Sequence, residues 1–302
     1  MIINQPGPVS EHIQLLGRYE SCVYLVQGKE ESWLLGGGMA YIVPELLAQI
    51  EAFGIDERRI TRLFILHAHF DHCGAVPFLK KRWPWATVMA SVRAKELIDK
   101  PQIVESLAQM NQSATARMGR EAQERLLGFQ FDQLRIEATV AEGDRLRCGD
   151  LDLEVLEVPG HSSCSIALYM PAERALFASD AVGLCTKGVH QPTPNSNYDH
   201  YQQSLEKMAR LAPEVLLLEH FGAYTGDDSR AFIPKAIEAA QKTRELLEET
   251  YRRTRDIDQC TREITAIFLK RANDSFLSNE VRAMVAGQMV RFIAKAIEAR
   301  NG

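Results

Sequence analysis

The chain has 302 residues, of which 46% are apolar and 25% are charged, and its formal net charge is −5. A chain of this length and composition can bury a large core, as globular proteins do. The acidic balance and the lack of a basic run argue against a nucleic-acid partner, and no apolar stretch approaches the roughly 18–20 residues that cross a membrane. The six cysteines form no Cys-x-x-Cys pair, and the first residues (MIINQPGPVSEH) are unlike a signal peptide. We therefore expect a soluble, cytoplasmic protein without a membrane partner.

The N-terminal segment predicts short strands and one helix. Three apolar stretches, HIQLLG, CVYLVQG and SWLLGG, lie between residues 12 and 37, and the Gly-Lys-Glu-Glu between the last two favours a hairpin turn. Residues 43–53 have apolar side chains at helical spacing, with Gly54 as a stop signal. The glycines at residues 36–38 indicate either a close approach of the backbone beneath a functional site or a simple loop, and both interpretations stay open.

A cluster of metal-binding residue types follows the next strand. The apolar residues 63–66 predict a buried strand, and they lead directly to His67, His69, Asp71 and His72. In an extended chain, residues two apart point to the same side, so His67 and His69 can converge on one metal ion. Asp71 and His72 lie where the chain turns into a predicted helix, and they can face a second ion. Imidazole and carboxylate ligands suit Zn²⁺ or Fe.

A helical stretch separates this cluster from the second half of the chain. WATVMAS at residues 85–91 predicts a strand, and residues 92–127 predict helix. Two interpretations of this helical stretch stay open: it borders a pocket, or it forms a helical hairpin on the surface.

Three later strands each end close to another metal-binding residue type. Residues 151–158 alternate apolar and acidic side chains and lead to His161. The strand ALFAS ends in Asp180, and the apolar residues 215–218 lead to His220. We therefore expect four strand ends to bring their histidines and aspartates to one place.

The remaining histidines carry no such signal. His12, His190 and His200 are expected at the surface, with a position in the pocket left open for His190. His200 falls in a helix predicted over residues 199–211, with Asp199 as its N-cap.

The C-terminal part of the chain changes character. Residues 233–251 place apolar side chains on one helical face, and residues 258–270 and 279–299 are similarly amphipathic. We expect a catalytic domain over residues 1–230 and a helical extension over 231–302. The extension either forms a homodimer or lies over the metal site as a lid.

The order of these residues resembles the metallo-β-lactamase superfamily, whose pattern is His-x-His-x-Asp-His, then Gly-His, then Ser-Asp, then a last histidine after a strand. The resemblance covers about residues 10–225 and implies the α/β class, with an αββα sandwich and a dinuclear metal site at one edge. It implies that His67, His69 and His161 bind one metal ion. Asp71, His72 and His220 bind the other, and Asp180 bridges both.

Within that superfamily the chain resembles the quinolone-signal-response thioesterases. The shared features are its length, Asp71–Gly74, Asp180–Gly183, residues 215–222 and a helical C-terminal extension. Leu184 stands where those proteins carry an acidic pocket residue, which implies a different substrate. Acyl-homoserine-lactone lactonases are also similar, but they carry a tyrosine where this chain has Gly183. Glyoxalase II has the same ligand set, and this chain shows no glutathione-binding signature.

The resemblance and the ligand set together predict a metal-dependent hydrolase. Its two divalent ions are Zn or Fe, with Mn as a further choice, and a hydroxide held between them attacks the carbonyl of a small-molecule thioester of the acyl- or aroylacetyl-CoA type. Asp71 takes the proton and passes it to the leaving group. The alternatives are a lactonase or phosphodiesterase, a diiron redox protein, and a regulatory protein that acts through a protein partner.

Overall fold

The computed structural model describes residues 1–271 and 278–301, which form mixed sheets and helices. The strands are β1 (Ile2–Ile3), β2 (Gly7–Pro8), β3 (Ile13–Arg18), β4 (Ser21–Gln27), β5 (Ser32–Leu35), β6 (Ile60–Phe64), β7 (Thr87–Ser91), β8 (Ala138–Val140), β9 (Arg145–Cys148), β10 (Leu151–Glu157), β11 (Ile166–Met170), β12 (Ala175–Phe177), β13 (Leu184–Thr186), β14 (Val189–Gln191), β15 (Val215–Leu217) and β16 (Ala223–Thr225). The helices are α1 (Val43–Ala52), α2 (Val76–Arg82), α3 (Val92–Ile98), α4 (Pro101–Arg117), α5 (Glu121–Leu127), α6 (Tyr198–Ala209), α7 (Asp227–Thr254), α8 (Ile257–Arg271) and α9 (Asn279–Asn301).

The chain divides into two compact units, each built from separate stretches of sequence. The first unit consists of Met1–Glu157, Cys164–Ser179 and Pro213–Ser229. The second consists of Val158–Ser163, Asp180–Ala212 and Arg230–Gly302. The division into a catalytic domain and an extension at residue 230 stays a prediction, and residues 272–277 and 302 of that extension lie outside the described residues.

The first unit is a sandwich of two seven-stranded sheets. One sheet has the strand order β2-β3-β4-β5-β6-β7-β8, and the other has the order β1-β16-β15-β12-β11-β10-β9. Apolar side chains from both sheets form one buried core, in which the Tyr24 and Phe177 ring centroids lie 6.0 Å apart. This face-to-face packing confirms the predicted sandwich.

The alternating pattern of β10 shows how the sequence sets this packing. Leu151, Leu153 and Val155 point into the core, whereas Asp152 is exposed and Glu154 is only partly buried. Because successive side chains of a strand point to opposite faces, one face is apolar and the other is polar. The half-exposed strand predicted at residues 151–158 is therefore confirmed.

The helical stretch predicted over residues 92–127 is present as α3, α4 and α5. Helix α3 begins after Ser91, whose side chain accepts a hydrogen bond from the Ala94 amide and so satisfies one of the free donors of the first turn. Helix α5 ends at Gly128, which has a left-handed φ of 74°.

The second unit contains α6, the hairpin β13–β14 and the helices that follow residue 230. Side chains of α6, α7, α8 and α9 share a buried apolar cluster, and the Tyr198 hydroxyl in α6 donates to Ala240 O at 2.7 Å. The helical C-terminal region is confirmed for the described residues. Asp199 is not the N-cap of α6, because Asn197 has the extended conformation of a cap and its side chain accepts from the His200 amide. Within the described parts of the chain, no helix has the length and apolar character needed to cross a bilayer.

Candidate metal centre

The histidine-rich motif lies just beyond the end of β6, and residues 36–38 pack directly against it. The Gly37 amide donates to His72 O at 2.9 Å, and the Gly74 amide donates to Gly38 O at 2.7 Å. A Cβ atom on residue 37 would lie 2.6 Å from His72 O, so only glycine fits this approach. Of the two interpretations of these glycines, the close approach of the backbone beneath the site is confirmed.

Three of the predicted ligands in the first unit converge on one point. Asp71 Oδ2 lies 3.5 Å from His72 Nε2 and 3.5 Å from His220 Nε2, and the two Nε2 atoms lie 3.1 Å apart. His220 lies three residues beyond the end of β15, in the segment that leads to β16. All three side chains are buried, and their polar atoms face each other.

The hydrogen bond at His220 Nδ1 determines whether His220 Nε2 has a lone pair for a metal ion. His220 Nδ1 lies 2.7 Å from the backbone oxygen of Glu20. Because a carbonyl oxygen only accepts hydrogen bonds, Nδ1 carries the proton and Nε2 presents a lone pair toward His72 and Asp71. A lone pair and a carboxylate oxygen directed at one buried point form a donor set that fits a divalent cation. The described residues thus contain a cluster suited to a metal ion.

His67 and His69 lie beside this cluster in the same unit. His67 Nε2 is 3.2 Å from His69 Nδ1, and His67 is buried whereas His69 is half-buried. The spacing of two residues in extended chain therefore does bring the two rings together, as the sequence predicts.

The second unit contains the remaining two predicted ligands. His161 Nε2 lies 3.6 Å from Asp180 Oδ2, and both side chains are buried. His161 Nδ1 donates to Thr193 O at 2.9 Å, and the Thr193 hydroxyl donates to the backbone oxygen of Asp180 at 3.0 Å. As in His220, a backbone carbonyl holds the proton on Nδ1 and leaves the Nε2 lone pair directed at a carboxylate.

The surroundings of Asp71 favour its charged form. Burial would raise the pKa of this carboxyl group, but its electrostatic interactions with the neighbouring His72 and His220 outweigh that effect and hold the pKa well below its usual value. Asp71 is therefore a carboxylate at neutral pH, which is the form that binds a metal ion.

Two residues that the sequence analysis left without a role lie among the histidines. Glu219 Oε2 is 3.0 Å from His72 Nδ1 and accepts a hydrogen bond from the Ser179 hydroxyl. Ser179 Oγ also lies 3.3 Å from His67 Nδ1, and Ser179 has a left-handed φ of 50°. The only sequence signal for Glu219 is a carboxylate placed between an apolar strand and a predicted ligand.

Helix α4 is anchored to the same loop through a buried amide. Asn111 Nδ2 donates to Phe70 O at 2.9 Å, and its Oδ1 accepts from the Ala40 amide at 3.2 Å. The helical stretch that follows β7 thus packs against the loop that carries the histidines.

The other three histidines are half-buried or exposed. His12 Nδ1 is 2.8 Å from Glu173 Oε1, and His200 is exposed on α6. His190 is half-buried on β14, with its ring centroid 4.6 Å from that of Phe232. Burial and the charge of Lys235 lower the pKa of His190.

Curated relatives of the chain, all of modest identity, include hydrolases. A hydroxyacylglutathione hydrolase of Methylobacterium sp. (strain 4-46) is 26% identical over 147 residues, which are 49% of this chain and 44% of the relative. The acyl-coenzyme A thioesterase MBLAC2 of Homo sapiens is 25% identical over 218 residues, which are 67% of this chain and 73% of the relative. The chain thus spans less than half the length of the first of these relatives.

Solved structures share the fold. The subclass B3 metallo-β-lactamase BJP-1 of Bradyrhizobium japonicum superposes with a TM-score of 0.57 at 22% identity, over 79% of this chain and 92% of the other. Rubredoxin oxygen:oxidoreductase of Desulfovibrio gigas superposes with a TM-score of 0.54 at 19% identity, over 82% of this chain and 69% of the other. The predicted fold class is therefore confirmed.

A family model gives the assignment. Residues 16–220, well over half of the chain, match the model described as the metallo-beta-lactamase superfamily, and this range includes every predicted ligand. The chain belongs to the metallo-β-lactamase superfamily.

Proposed function

We propose that this protein is a dinuclear-metal-dependent hydrolase of a thioester, of the acyl- or aroylacetyl-CoA type. The observation that carries the proposal is the convergence of Asp71, His72 and His220 on one buried point. His220 Nδ1 is hydrogen-bonded to a backbone carbonyl, which leaves Nε2 directed at that point. The similarity to the human acyl-coenzyme A thioesterase, over two thirds of this chain, supports the choice of a thioester.

The proposed ligand set follows the family pattern. By that pattern, His67, His69 and His161 would hold one divalent ion, Asp71, His72 and His220 would hold the other, and Asp180 would be a ligand of both. The ions are Zn or Fe, with Mn as a further choice. Such a pair of ions, when bound, supplies the Lewis acidity that activates water and polarises a carbonyl.

Asp71 is the residue of this chain that handles the proton. Its Oδ2 faces His72 and His220, which leaves Oδ1 to take a proton from the attacking water and to return it to the leaving group. A thiolate leaves with little help from an acid, whereas an alkoxide needs more.

The space around residue 183 supports a thioesterase over a lactonase. A Cβ atom on Gly183 would lie 2.7 Å from Gln191 O and 2.8 Å from the Tyr201 hydroxyl, and its φ is 78°. A tyrosine at this position, which the similar lactonases use, is therefore excluded by both sterics and backbone conformation. Leu184, which is buried on β13, replaces an acidic pocket residue and favours a less polar acyl group.

The proposal is tested by measuring hydrolysis of a panel of acyl- and aroylacetyl-CoA thioesters by metal-replete protein, with and without a chelator. A homoserine lactone and a phosphodiester are assayed beside them. We expect thioester turnover that the chelator abolishes. Turnover of only the lactone or only the phosphodiester would contradict the proposal and favour a lactonase or a phosphodiesterase instead. No turnover by protein that binds two metal ions would favour redox chemistry or a regulatory role through a partner.

The bridging role of Asp180 is tested by the variant Asp180→Asn. The amide is nearly the same size but carries no charge, so we expect metal content and activity to fall together. Full activity with a single bound ion would contradict the bridging role.

A further inference from the structure

Glu219 is a buried carboxylate that the family pattern does not include. Its side chain is 2% exposed, and a buried carboxylate is costly unless other groups compensate its charge. The described groups that face it are the Ser179 hydroxyl and His72 Nδ1. Ser179 directly precedes the predicted ligand Asp180, and His72 is itself a predicted ligand, so the carboxylate is placed to act on the metal centre.

The hydrogen bonds around Ser179 have a definite direction. The carboxylate of Glu219 only accepts, so the Ser179 hydroxyl donates its proton to Oε2. Ser179 Oγ can then accept from His67 Nδ1, which lies 3.3 Å away. The chain of contacts therefore keeps a proton on Nδ1 of His67 and leaves Nε2 as the nitrogen available to a metal ion.

His72 faces the same carboxylate oxygen. His72 Nδ1 lies 3.0 Å from Glu219 Oε2, and the negative charge at this distance stabilises a proton on Nδ1. His72 Nε2, on the other side of the ring, faces Asp71 and His220. One carboxylate thus acts directly on a predicted ligand of one metal ion and, through a serine hydroxyl, on a predicted ligand of the other.

The backbone is arranged to make room for this carboxylate. A Cβ atom on Gly36 would lie 2.4 Å from Glu219 Oε1, and Gly36 has a φ of 87°. Ser179 adopts a left-handed conformation although it is not glycine. Such conformations cost free energy and persist where the surroundings enforce them, often at functional sites.

We propose that Glu219 and Ser179 form a relay that fixes the ring orientation and tautomer of His67 and His72 together, so that one carboxylate positions ligands of both metal ions. The inference rests on the proposed metal-dependent function. Glu219 is a positioning residue, since it acts through the two histidines. Partners of this kind typically change metal affinity by about 10–100-fold when they are removed.

The first measurement uses the metal-free wild-type protein and needs no variant. Long-range proton–nitrogen correlation spectra of histidine-labelled protein report which ring nitrogen carries the proton. We expect protons on Nδ1 of His67 and His72. A proton on Nε2 of either ring in the wild-type protein would overturn the relay.

The second measurement separates the contact of Glu219 with His72 from its contact, through Ser179, with His67. Glu219→Gln replaces one carboxylate oxygen by an NH₂ group and removes the charge, so we expect both bound ions to weaken by about 10–100-fold in competition with a chromophoric chelator. Ser179→Ala keeps the contact between Glu219 and His72, so we expect only one ion to weaken. Cobalt(II) absorption spectra of the same variants show which site has changed. A Glu219→Gln effect confined to one ion, or no effect, would refute the relay.

Matched controls exclude a general loss of stability. Glu31→Gln changes a partly buried carboxylate that accepts from Thr61 and Trp33, and Ser229→Ala removes a buried hydroxyl that donates to Pro213 O. Both are expected to leave the affinity for the two ions unchanged, and an equal loss in these controls would overturn the relay. If the wild-type protein binds no divalent metal, the proposed function fails, and the tautomer measurement then decides the relay by itself.

Discussion

Replacing Asn111 by leucine tests whether one buried amide holds the metal-binding loop in place. Leucine is close to asparagine in size, but it can make no hydrogen bond. The Phe70 carbonyl and the Ala40 amide, both in buried residues, would each lose the partner that Asn111 provides. Leu107 O, the third contact of the amide, keeps its place in the backbone hydrogen bonds of α4.

The expected loss follows from these two orphaned groups. A buried polar group left without a partner costs about 1–3 kcal/mol, so the pair costs about 2–6 kcal/mol. Burial of the new apolar atoms returns about 1–2 kcal/mol. Taking the middle of each range, we expect Asn111→Leu to lower the free energy of unfolding by about 2–3 kcal/mol.

The assay is equilibrium urea unfolding of chelator-treated protein, so that bound metal does not contribute to stability. The control is Ser113→Ala on the exposed face of the same helix, where Ser113 Oγ donates only to Gln109 O within α4. A surface change of this kind stays within about 0.5 kcal/mol. Equal stability of the leucine and control variants would refute the reasoning that α4 holds the loop through this amide.

Three further predictions follow from buried positions in the first unit. Gly74→Ala would place a Cβ atom 2.3 Å from Asn111 Oδ1 and 2.5 Å from the Ala40 amide nitrogen. We therefore expect this variant to lower the free energy of unfolding by about 1–3 kcal/mol in the same urea assay. An unchanged unfolding midpoint would show that the neighbouring groups move aside at no cost. Burial raises the pKa of the Cys22 thiol to about 12, so alkylation at pH 8, followed by mass spectrometry, should modify this residue far more slowly in native than in urea-unfolded protein; equal rates would contradict its burial. Burial also raises the pKa of Tyr24 well above its usual value, so the folded state keeps a proton that the unfolded state loses, and stability should fall as the pH rises above about 10. Urea titrations between pH 9 and 11 should show a shallower fall for Tyr24→Phe, and an equal fall would assign the pH dependence to other groups.

Local sequence was sufficient to predict most strands of the first unit and the candidate metal ligands. The strand before His67 and the alternating strand before His161 could be predicted because apolar periodicity depends on near neighbours. The motif spacing placed His67 and His69 together because the geometry of extended chain is also local. These are the parts of the site that require no information about distant contacts.

The supporting residues could not be predicted because their roles arise from pairs far apart in sequence. Ser179 and Glu219 are 40 residues apart, and Asn111 contacts backbone groups 41 and 71 residues away. A serine before an aspartate or an asparagine within a helix gives no periodic signal. Their function becomes visible only when the fold brings the partners into contact.

The N-cap of α6 shows the same limit on a smaller scale. Asn197 and Asp199 are both residue types that cap helices, and they lie two positions apart. Asn197 is the cap because its backbone is extended, with φ −151° and ψ 117°. The residue types alone give the helix and leave its first residue uncertain by two positions, as is common at helix ends.

The ring contacts also indicate where the metal affinity of this chain can be tuned. Among the described contacts, backbone carbonyls hold Nδ1 of His220 and of His161, and no side-chain substitution removes a carbonyl. Nδ1 of His67 instead lies 3.3 Å from the Ser179 hydroxyl, and Nδ1 of His72 lies 3.0 Å from the Glu219 carboxylate. Substitutions at these two positions can therefore change the binding of the metal ions while every predicted ligand stays in place. Conservative variants of Glu219 and Ser179 are thus the most direct way to separate the orientation of the ligands from their identity.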